Sequence, residues 1–181
     1  MHRAPLAIVL ILGLIGAAIV GYAASGAFAP PSSPCANITL PDEVAASGPE
    51  GGTRIQITVP NGTVRASVDV RIAATPSARR VGLSETETLA FGEGMLFVHG
   101  SEARYTYWMK GMSFPLDIIF IDAEGEITTI HHAPTPDQLE GNGQFAGRGQ
   151  YVLEVPRGYS NATGTEVGDC VAIPDNLRSA A

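Results

Sequence analysis

Residues 105–122, with the sequence YTYWMKGMSFPLDIIFID, give the clearest indication of the fold. Side chains around Trp108 alternate in the way expected of a β-strand, in which successive residues point to opposite faces. A second strand is predicted at 116–121, where the sequence LDIIFI places Asp117 on the same face as two isoleucines. Two strands in so short a segment favour a β-rich domain.

The same alternation extends to both sides of this segment. Asn61-Gly62 is a strong signal for a hairpin, and Thr75-Pro76 is typical of a helix start with Thr as the N-cap. Strands are predicted at 54–59, 63–72, 94–98, 104–110, 116–121, 126–132, 150–155 and 166–173, and a helix at 76–83. We therefore predict a mainly β, α+β fold, a compact barrel-like antiparallel or mixed sheet with one or two short helices.

The composition excludes several classes of protein. A net charge of −7, from 18 acidic and 11 basic residues, is not that of a nucleic-acid-binding domain. Two cysteines are too few for a disulfide-rich scaffold or a four-thiolate zinc site. The sequence has no H-E-x-x-H, C-x-x-C, P-loop or dinucleotide-binding motif, so we predict no metal and no cofactor.

The N-terminus is predicted to hold the protein in a membrane. Residues 6–24 carry no charge, and a helix of this length spans roughly 28 Å, about the hydrocarbon thickness of a bilayer. A cleaved signal peptide is the alternative, but Pro30 directly follows the best cleavage motif, at 27–29. The predicted organisation is an N-terminal transmembrane helix at 1–24, a Pro/Gly/Ser-rich linker at 25–52, a β domain at 53–175 and a tail at 176–181.

The charges that flank this anchor predict its orientation. Arg3 precedes the apolar run, whereas no Lys or Arg follows it before Arg54. The positive-inside rule then places the N-terminus in the cytoplasm and the domain outside the plasma membrane. Three N-x-S/T sequons fit an extracytoplasmic domain, with candidate glycosylation sites at Asn37, Asn61 and Asn161.

The two cysteines, Cys35 and Cys170, lie far apart in the sequence. In an oxidising compartment they can form a disulfide that joins the linker to the last strand. The alternative is two free thiols, and the spacing alone does not decide between them.

The only tryptophan is a candidate ligand-binding residue. Trp108 shares a strand face with Arg104 and Lys110, whereas Tyr105 and Tyr107 lie on the opposite, core face. A Trp beside a Lys can stack on a sugar or help to hold an anion. The alternative is that Trp108 closes one end of the barrel and Lys110 extends past it.

Two carboxylates are candidates for binding or catalysis. Asp117 lies on an apolar face, where a carboxylate needs a partner, and Lys110, Arg79 and Arg80 are the candidates. Asp117 is either half of a structural ion pair or a perturbed carboxylate in a site. Glu154 is the second carboxylate, and the two together suit an acid/base pair if they meet.

The domain resembles the DUF192 (UPF0127) family across roughly residues 53–173. The segments that carry the resemblance occur in the family's order: Thr75-Pro76, Arg79, Gly82-Leu83, GMLFV at 94–98, WMK at 108–110, PLDIIFID at 115–122, Ile130-His131 and YVLEV at 151–155 with Gly158. The resemblance implies a mainly β, barrel-like fold with a short helix, and it assigns no activity. The positions of Arg79, the WMK segment, Asp117 and Glu154 all match the family pattern.

Three functions are consistent with these residues. The first is a tethered module that binds an envelope glycan, peptide or small anion through Arg79, Trp108, Lys110, Asp117 and Glu154. The second is an envelope hydrolase with Asp117 and Glu154 as acid/base groups and His131 as a third candidate. The third is a structural or assembly partner of another envelope protein, which the sequence does not identify. Binding is favoured over catalysis because it needs only a pocket and an aromatic anchor.

Each function predicts a different arrangement. An enzyme requires Asp117 and Glu154 beside one cavity, whereas a binding module requires Trp108 to line an open cleft. A structural partner requires a filled barrel with an apolar patch on its outer surface.

Overall fold

Seven β-strands form the framework of the part of the chain that the structure describes. The structure is a computed structural model, and it describes residues 33–40, 42–46, 48, 52–139 and 143–178. The strands are β1 Thr53–Thr58, β2 Val64–Ala73, β3 Glu93–Trp108, β4 Leu116–Ile121, β5 Ile127–Ala133, β6 Gln144–Pro156 and β7 Cys170–Ala172. The helices are short: α1 Asp42–Ala45, α2 Pro76–Val81, α3 Tyr159–Thr163 and α4 Asp175–Arg178, with a 3₁₀ turn at Pro136–Gln138.

The strands form one mixed sheet in the order β5-β4-β6-β3-β2-β1-β7. All neighbours are antiparallel except β2 and β3, which are parallel and are connected through α2. The sheet curls so that the start of β5 comes close to β7, where Ile127 N donates to Asp169 O at 2.8 Å and Val171 N donates to Gly125 O at 2.7 Å. The predicted class, a mainly β, α+β fold with a mixed sheet and a few short helices, is confirmed as a curled half-barrel.

The two faces of the sheet carry separate cores. One face, called the inner face here, is concave, because every strand contributes to a single buried cluster that includes Ile55, Leu96 and Leu153. Helices α3 and α4 add Tyr159 and Leu177 to that cluster. The outer face carries a second cluster on β3, β4 and β6, including Phe97, Ile118, Phe120 and Val152. The candidate residues therefore divide according to the face on which they lie.

Strands β3 and β6 are longer than the sequence predicts. The predicted strands 94–98 and 104–110 are one strand, with a register irregularity between Val98 and Ala103. Its partner β6 begins at Gln144 rather than at residue 150. Glycines hide this extension, because glycine weakens a strand signal. They are needed here, since a Cβ on Gly147 would lie 2.4 Å from the Phe120 ring.

The helix and the last strand differ in how closely they follow the prediction. The N-cap of α2 is confirmed, because the Thr75 side chain accepts a hydrogen bond from Ala78 N and Pro76 is the first helical residue. The last strand is only Cys170–Ala172, not 166–173. Residues before it form a turn in which the Asp169 side chain accepts from Glu166 N at 2.9 Å.

Part of the predicted linker packs on the domain. Cys35 and Leu40 are buried, and α1 contacts β1. Cys35 is joined to Cys170 by a disulfide with a Cα–Cα distance of 5.3 Å. In the predicted tail, α4 buries Leu177 in the inner core. Residues 33–40 and 42–45 of the predicted linker therefore pack against the domain, although their composition predicts an extended chain.

The predicted anchor, residues 1–24, lies outside the described residues. Within the described ranges, no helix has the length and apolar character needed to cross a bilayer.

Candidate ligand-binding cleft

A cleft of about 310 Å³ opens on the outer face of the sheet. It lies between α2 with the turn that follows it, the end of β3, and the loop before β4. Its lining is Arg79, Arg80, Val81, Gly82, Leu83, Ser84, Phe97, Tyr107, Trp108, Lys110, Gly111, Met112 and Glu154. Four of the five residues that the sequence proposes for ligand binding meet here: Arg79, Trp108, Lys110 and Glu154.

Glu154 provides a buried carboxyl group to this cleft. It projects from the outer face of β6, where its register neighbours are Met95 on β3 and Ile118 on β4. The residue is only 5% exposed, and no described residue forms a hydrogen bond or ion pair with its side chain. Burial raises the pKa of Glu154 to about 8, because desolvation disfavours the charged form. At neutral pH the group is therefore mainly a protonated acid with unused hydrogen-bonding capacity.

Tyr107 lines the cleft together with Glu154 and is paired with a histidine on the same strand. Tyr107 Oη and His99 Nε2 are hydrogen-bonded at 3.0 Å. Burial, followed by the charge of Glu154, raises the pKa of Tyr107 well above its ordinary value. Burial, followed by the charge of Arg79, lowers the pKa of His99 to about 4. Tyr107 therefore stays protonated and His99 stays neutral across the physiological pH range.

Arg79 is oriented by the backbone rather than by an acid. Its Nη1 donates to Val98 O at 2.7 Å and to Ala74 O. Arg80 and Lys110 also line the cleft, and none of these three cations forms an ion pair with a residue that the structure describes. Their positive charges are therefore available to a ligand.

Trp108 and Lys110 lie on the open side of the cleft. Trp108 is 58% exposed, and Lys110 Nζ lies 5.7 Å from the centre of its ring, within the range of a cation–π contact. Trp108 therefore forms part of the cleft wall and does not close one end of the barrel. The alternation that separates Trp108 from Tyr105 and Tyr107 also holds, since both tyrosines pack on the outer core.

Asp117 is not in the cleft, and the partners predicted for it are wrong. It lies on the inner face, fully buried, where Oδ1 contacts His132 Nδ1 at 2.6 Å and Oδ2 accepts from Ser160 N at 2.9 Å. Ser160 is in the first turn of α3, whose N-cap residue, Gly158, has no side chain to offer. Asp117 therefore supplies the missing cap from a neighbouring strand. Lys110, Arg79 and Arg80 cannot reach it, because they lie across the sheet.

The register of β4 and β6 also separates the proposed acid/base pair. Asp117 is opposite Val155, and Ile118 is opposite Glu154, so the two carboxyl groups point to opposite faces of the sheet. They do not share a cavity and cannot act together on one substrate. His131 lies on the outer face but outside the cleft, where its Nε2 donates to Ala146 O at 3.0 Å. The three catalytic candidates thus form no common site.

The remaining sequence candidates lie on the surface or away from the cleft. The asparagines of all three sequons, Asn37, Asn61 and Asn161, are exposed. No group of three or more His, Cys, Asp or Glu side chains in the described ranges is arranged to hold a metal ion.

Sequence reasoning missed two members of the cleft region. Tyr107 was predicted only as a core residue, and His99 was not predicted at all. The bulge between Val98 and Ala103 changes the phase of β3, so alternation cannot place His99 relative to Trp108.

Comparison with known proteins identifies relatives of the domain. Residues 57–173 match the model of the DUF192 family, described as "Uncharacterized ACR". The crystal structure of a Sinorhizobium meliloti protein, provisionally named a transcription regulator, is 32% identical, with a TM-score of 0.59 over 65% of this chain and 90% of that one. A Novosphingobium aromaticivorans protein of unknown function is 24% identical, with a TM-score of 0.61 over 74% of this chain and 98% of that one, and supports the fold alone. No curated protein matches the sequence.

Proposed function

This chain belongs to the DUF192 family, and we propose that it is a membrane-anchored module that binds a small ligand outside the plasma membrane. Its ligand is an envelope glycan, a peptide or a small anion, held in the cleft between Trp108, Lys110, Arg79 and Glu154. Residues 1–24 form the anchor, with the N-terminus in the cytoplasm, as the uncharged run at 6–24 and its flanking charges suggest.

The observation that carries this proposal is the state of Glu154. A buried polar group without a partner is rare in folded proteins, because the lost hydration is not replaced. In Glu154 the unpartnered group borders a cleft rather than a closed core. A ligand that hydrogen-bonds to Glu154 would satisfy this group. In a site with a purely structural role, the protein itself would supply the hydrogen-bond partner.

The surroundings of Glu154 support a binding role over the alternatives. An exposed aromatic ring beside a cation is a common anchor for a sugar ring or a charged group. A hydrolase is not proposed, since Asp117 and Glu154 lie on opposite faces. The net charge of −7 disfavours DNA binding, the role that the name of the Sinorhizobium relative suggests for that protein.

A fluorescence and thermal-shift screen tests the proposal, because the chain contains a single tryptophan and this residue lies in the cleft. The purified full-length protein is screened against sugars, short peptides and small organic anions. A true ligand changes Trp108 emission and raises the melting temperature, since binding to the native state alone stabilises it.

The thermal shift is repeated in Trp108→Ala and in a matched control, Phe91→Ala, which removes another exposed aromatic ring outside the cleft lining. We expect the shift to disappear in Trp108→Ala and to persist in Phe91→Ala. A shift that persists in both variants, or no shift with any of the three ligand classes, contradicts the proposed function.

A further inference from the structure

The charge of the cleft is opposite to that of the whole chain. The chain carries a net charge of −7, yet three cations, Arg79, Arg80 and Lys110, converge on this cleft. Among the described residues that line it, Glu154 is the only one with a carboxyl group. Since this carboxyl group is buried and mainly protonated at neutral pH, the cleft itself is positive. A cleft of this sign concentrates anions from solution.

We propose that the cleft selects a small carboxylate with a sugar-like ring, a monosaccharide acid, and that the protonated carboxyl group of Glu154 donates a hydrogen bond to the ligand carboxylate. This inference rests on the proposed binding function and specifies its ligand class. The volume of about 310 Å³ is near the lower end for ligand sites, which fits one ring better than a long polymer segment.

The geometry gives the carboxylate a preorganised set of donors. Arg79 is already fixed by its bonds to Val98 O and Ala74 O, so little side-chain freedom is lost when its remaining N–H groups bind an anion. Hydrogen bonds from charged donors to a carboxylate are roughly twice as strong as neutral ones. A neutral sugar forms no such bonds, which is the basis of the selection.

The wall of the cleft offers an aromatic surface on which the ring of the ligand can pack. Trp108, which is 58% exposed, lines the cleft, and the partly exposed Met112 adds apolar area beside it. The apolar face of a sugar ring packs on such an aromatic surface. Lys110, which lies over the indole ring, places its charge beside the same surface.

Binding should weaken as Glu154 loses its proton, because two negative carboxylates would then face each other. The charged and titratable groups that line the cleft with Glu154 are Arg79 and Arg80 from α2, Tyr107 from β3, and Lys110 from the following loop. His99, also on β3, is hydrogen-bonded to Tyr107. Its strand neighbours, Met95 and Ile118, do not titrate. With His99 neutral and Tyr107 protonated, Glu154 is the group that changes charge between pH 7 and 9.

The test is a titration of the full-length protein in detergent, followed by Trp108 fluorescence, with D-glucuronate, D-glucose and glucose 6-phosphate as probes. We expect D-glucuronate to bind at least tenfold more tightly than D-glucose at pH 7, and more tightly than glucose 6-phosphate. Its affinity should fall about tenfold between pH 7 and pH 9, given a Glu154 pKa of about 8.

Two variants separate the roles of the groups. Glu154→Gln keeps a neutral hydrogen-bond donor but cannot titrate, so its affinity for D-glucuronate should not decline between pH 7 and pH 9. Lys110→Gln removes a cleft cation at an exposed position and should weaken D-glucuronate several-fold more than it weakens D-glucose. Glu87→Gln, at an exposed glutamate outside the cleft lining, is the matched control and should behave as wild type.

The outcomes distinguish this inference from the proposed function. Equal binding of D-glucose and D-glucuronate, tighter binding of glucose 6-phosphate, or an unchanged pH decline in Glu154→Gln overturns the inference and leaves a ligand-binding cleft. If all three probes fail but another ligand from the screen shifts the melting temperature through Trp108, the inference is also overturned and the proposed function stands. If neither the probes nor the screen gives binding, both fail.

Discussion

Asp117 and Glu154 are two buried carboxyl groups on adjacent strands, and their surroundings differ completely. Asp117, on the inner face, uses both oxygens within the protein, on His132 and on the backbone amide of Ser160. Glu154, on the outer face, has no partner among the described residues and borders a cleft. Their burial is nearly the same, at 0% and 5% exposed.

The comparison shows that a structural carboxylate differs from a candidate binding group in its hydrogen-bond partners within the protein, and not in how deeply it is buried. A carboxylate whose acceptor sites are filled by the protein has little capacity left for a ligand. The carboxyl group of Glu154 borders a cleft and keeps its hydrogen-bonding capacity, so a ligand in the cleft can bind it. The two residues can therefore be tested against each other.

The largest expected effect is on the inner face. Asp117→Ala removes the acceptor of the Ser160 amide and leaves that buried N–H group unpaired, which costs about 1–3 kcal/mol, and it also removes the bond to His132. We expect a loss of about 3 kcal/mol in the free energy of unfolding, measured by guanidinium denaturation at pH 7. The matched control is Asp137→Ala at an exposed position, which should stay within about 0.5 kcal/mol of wild type.

If Asp117→Ala lowers the free energy of unfolding by less than about 1 kcal/mol, Asp117 is not the structural carboxylate that the comparison requires. Such a result would mean that the contacts of Asp117 contribute no more than a surface residue, and that the carboxylate is free for another role.

The next effect concerns Glu154 and depends on pH. Its folded pKa of about 8 lies above the ordinary value of 4.5, so the folded state holds the proton more tightly than the unfolded state. Stability from this group is fully present below pH 4.5 and is lost as the pH rises through 8. Between pH 6.5 and pH 8 we expect wild type to lose about 1.5 kcal/mol of stability.

The variant Glu154→Gln should lack this decline, because glutamine does not titrate, and should exceed wild type in stability at pH 8. His99 acts in the opposite direction, since its pKa is lowered from 6.5 to about 4 and its protonation in the unfolded state lowers stability below pH 6.5. The window above pH 6.5 therefore isolates Glu154. An identical pH profile for wild type and Glu154→Gln, with Glu87→Gln as the control, would show that Glu154 is not held protonated.

Much of the fold follows from the sequence, because it depends on short-range patterns. The alternation around Trp108, the Thr75-Pro76 cap and the mainly β class each depend on a few adjacent residues. The length of β6 cannot be predicted from the sequence, because the glycines at 147 and 149 weaken the strand pattern. Their close contacts with β4, which require glycine, are visible only in the structure. The short β7 is missed for a similar reason, since the Asp169 turn competes with strand pairing.

The candidate site follows from the sequence only in part. Trp108, Lys110, Arg79 and Glu154 were identified as residue types suited to binding, and the structure brings them to one cleft. The position of Asp117 could not be derived, because its face relative to Glu154 depends on the register of two strands far apart in sequence. A shift of one residue would have placed both carboxyl groups on the same face.

The smallest expected effect separates the contributions that the two hydrogen bonds of Asp117 make to stability. The bond to Ser160 N is buried, whereas the side chain of His132 is 42% exposed. In His132→Ala, water can take the place of the imidazole, so the loss should be about 1 kcal/mol, well below that of Asp117→Ala. Guanidinium unfolding of the single variants and the double variant measures the coupling between the two residues. If His132→Ala costs as much as Asp117→Ala, then the imidazole rather than the helix cap holds the inner carboxylate, and Asp117 owes its position to a side chain that solvent can reach.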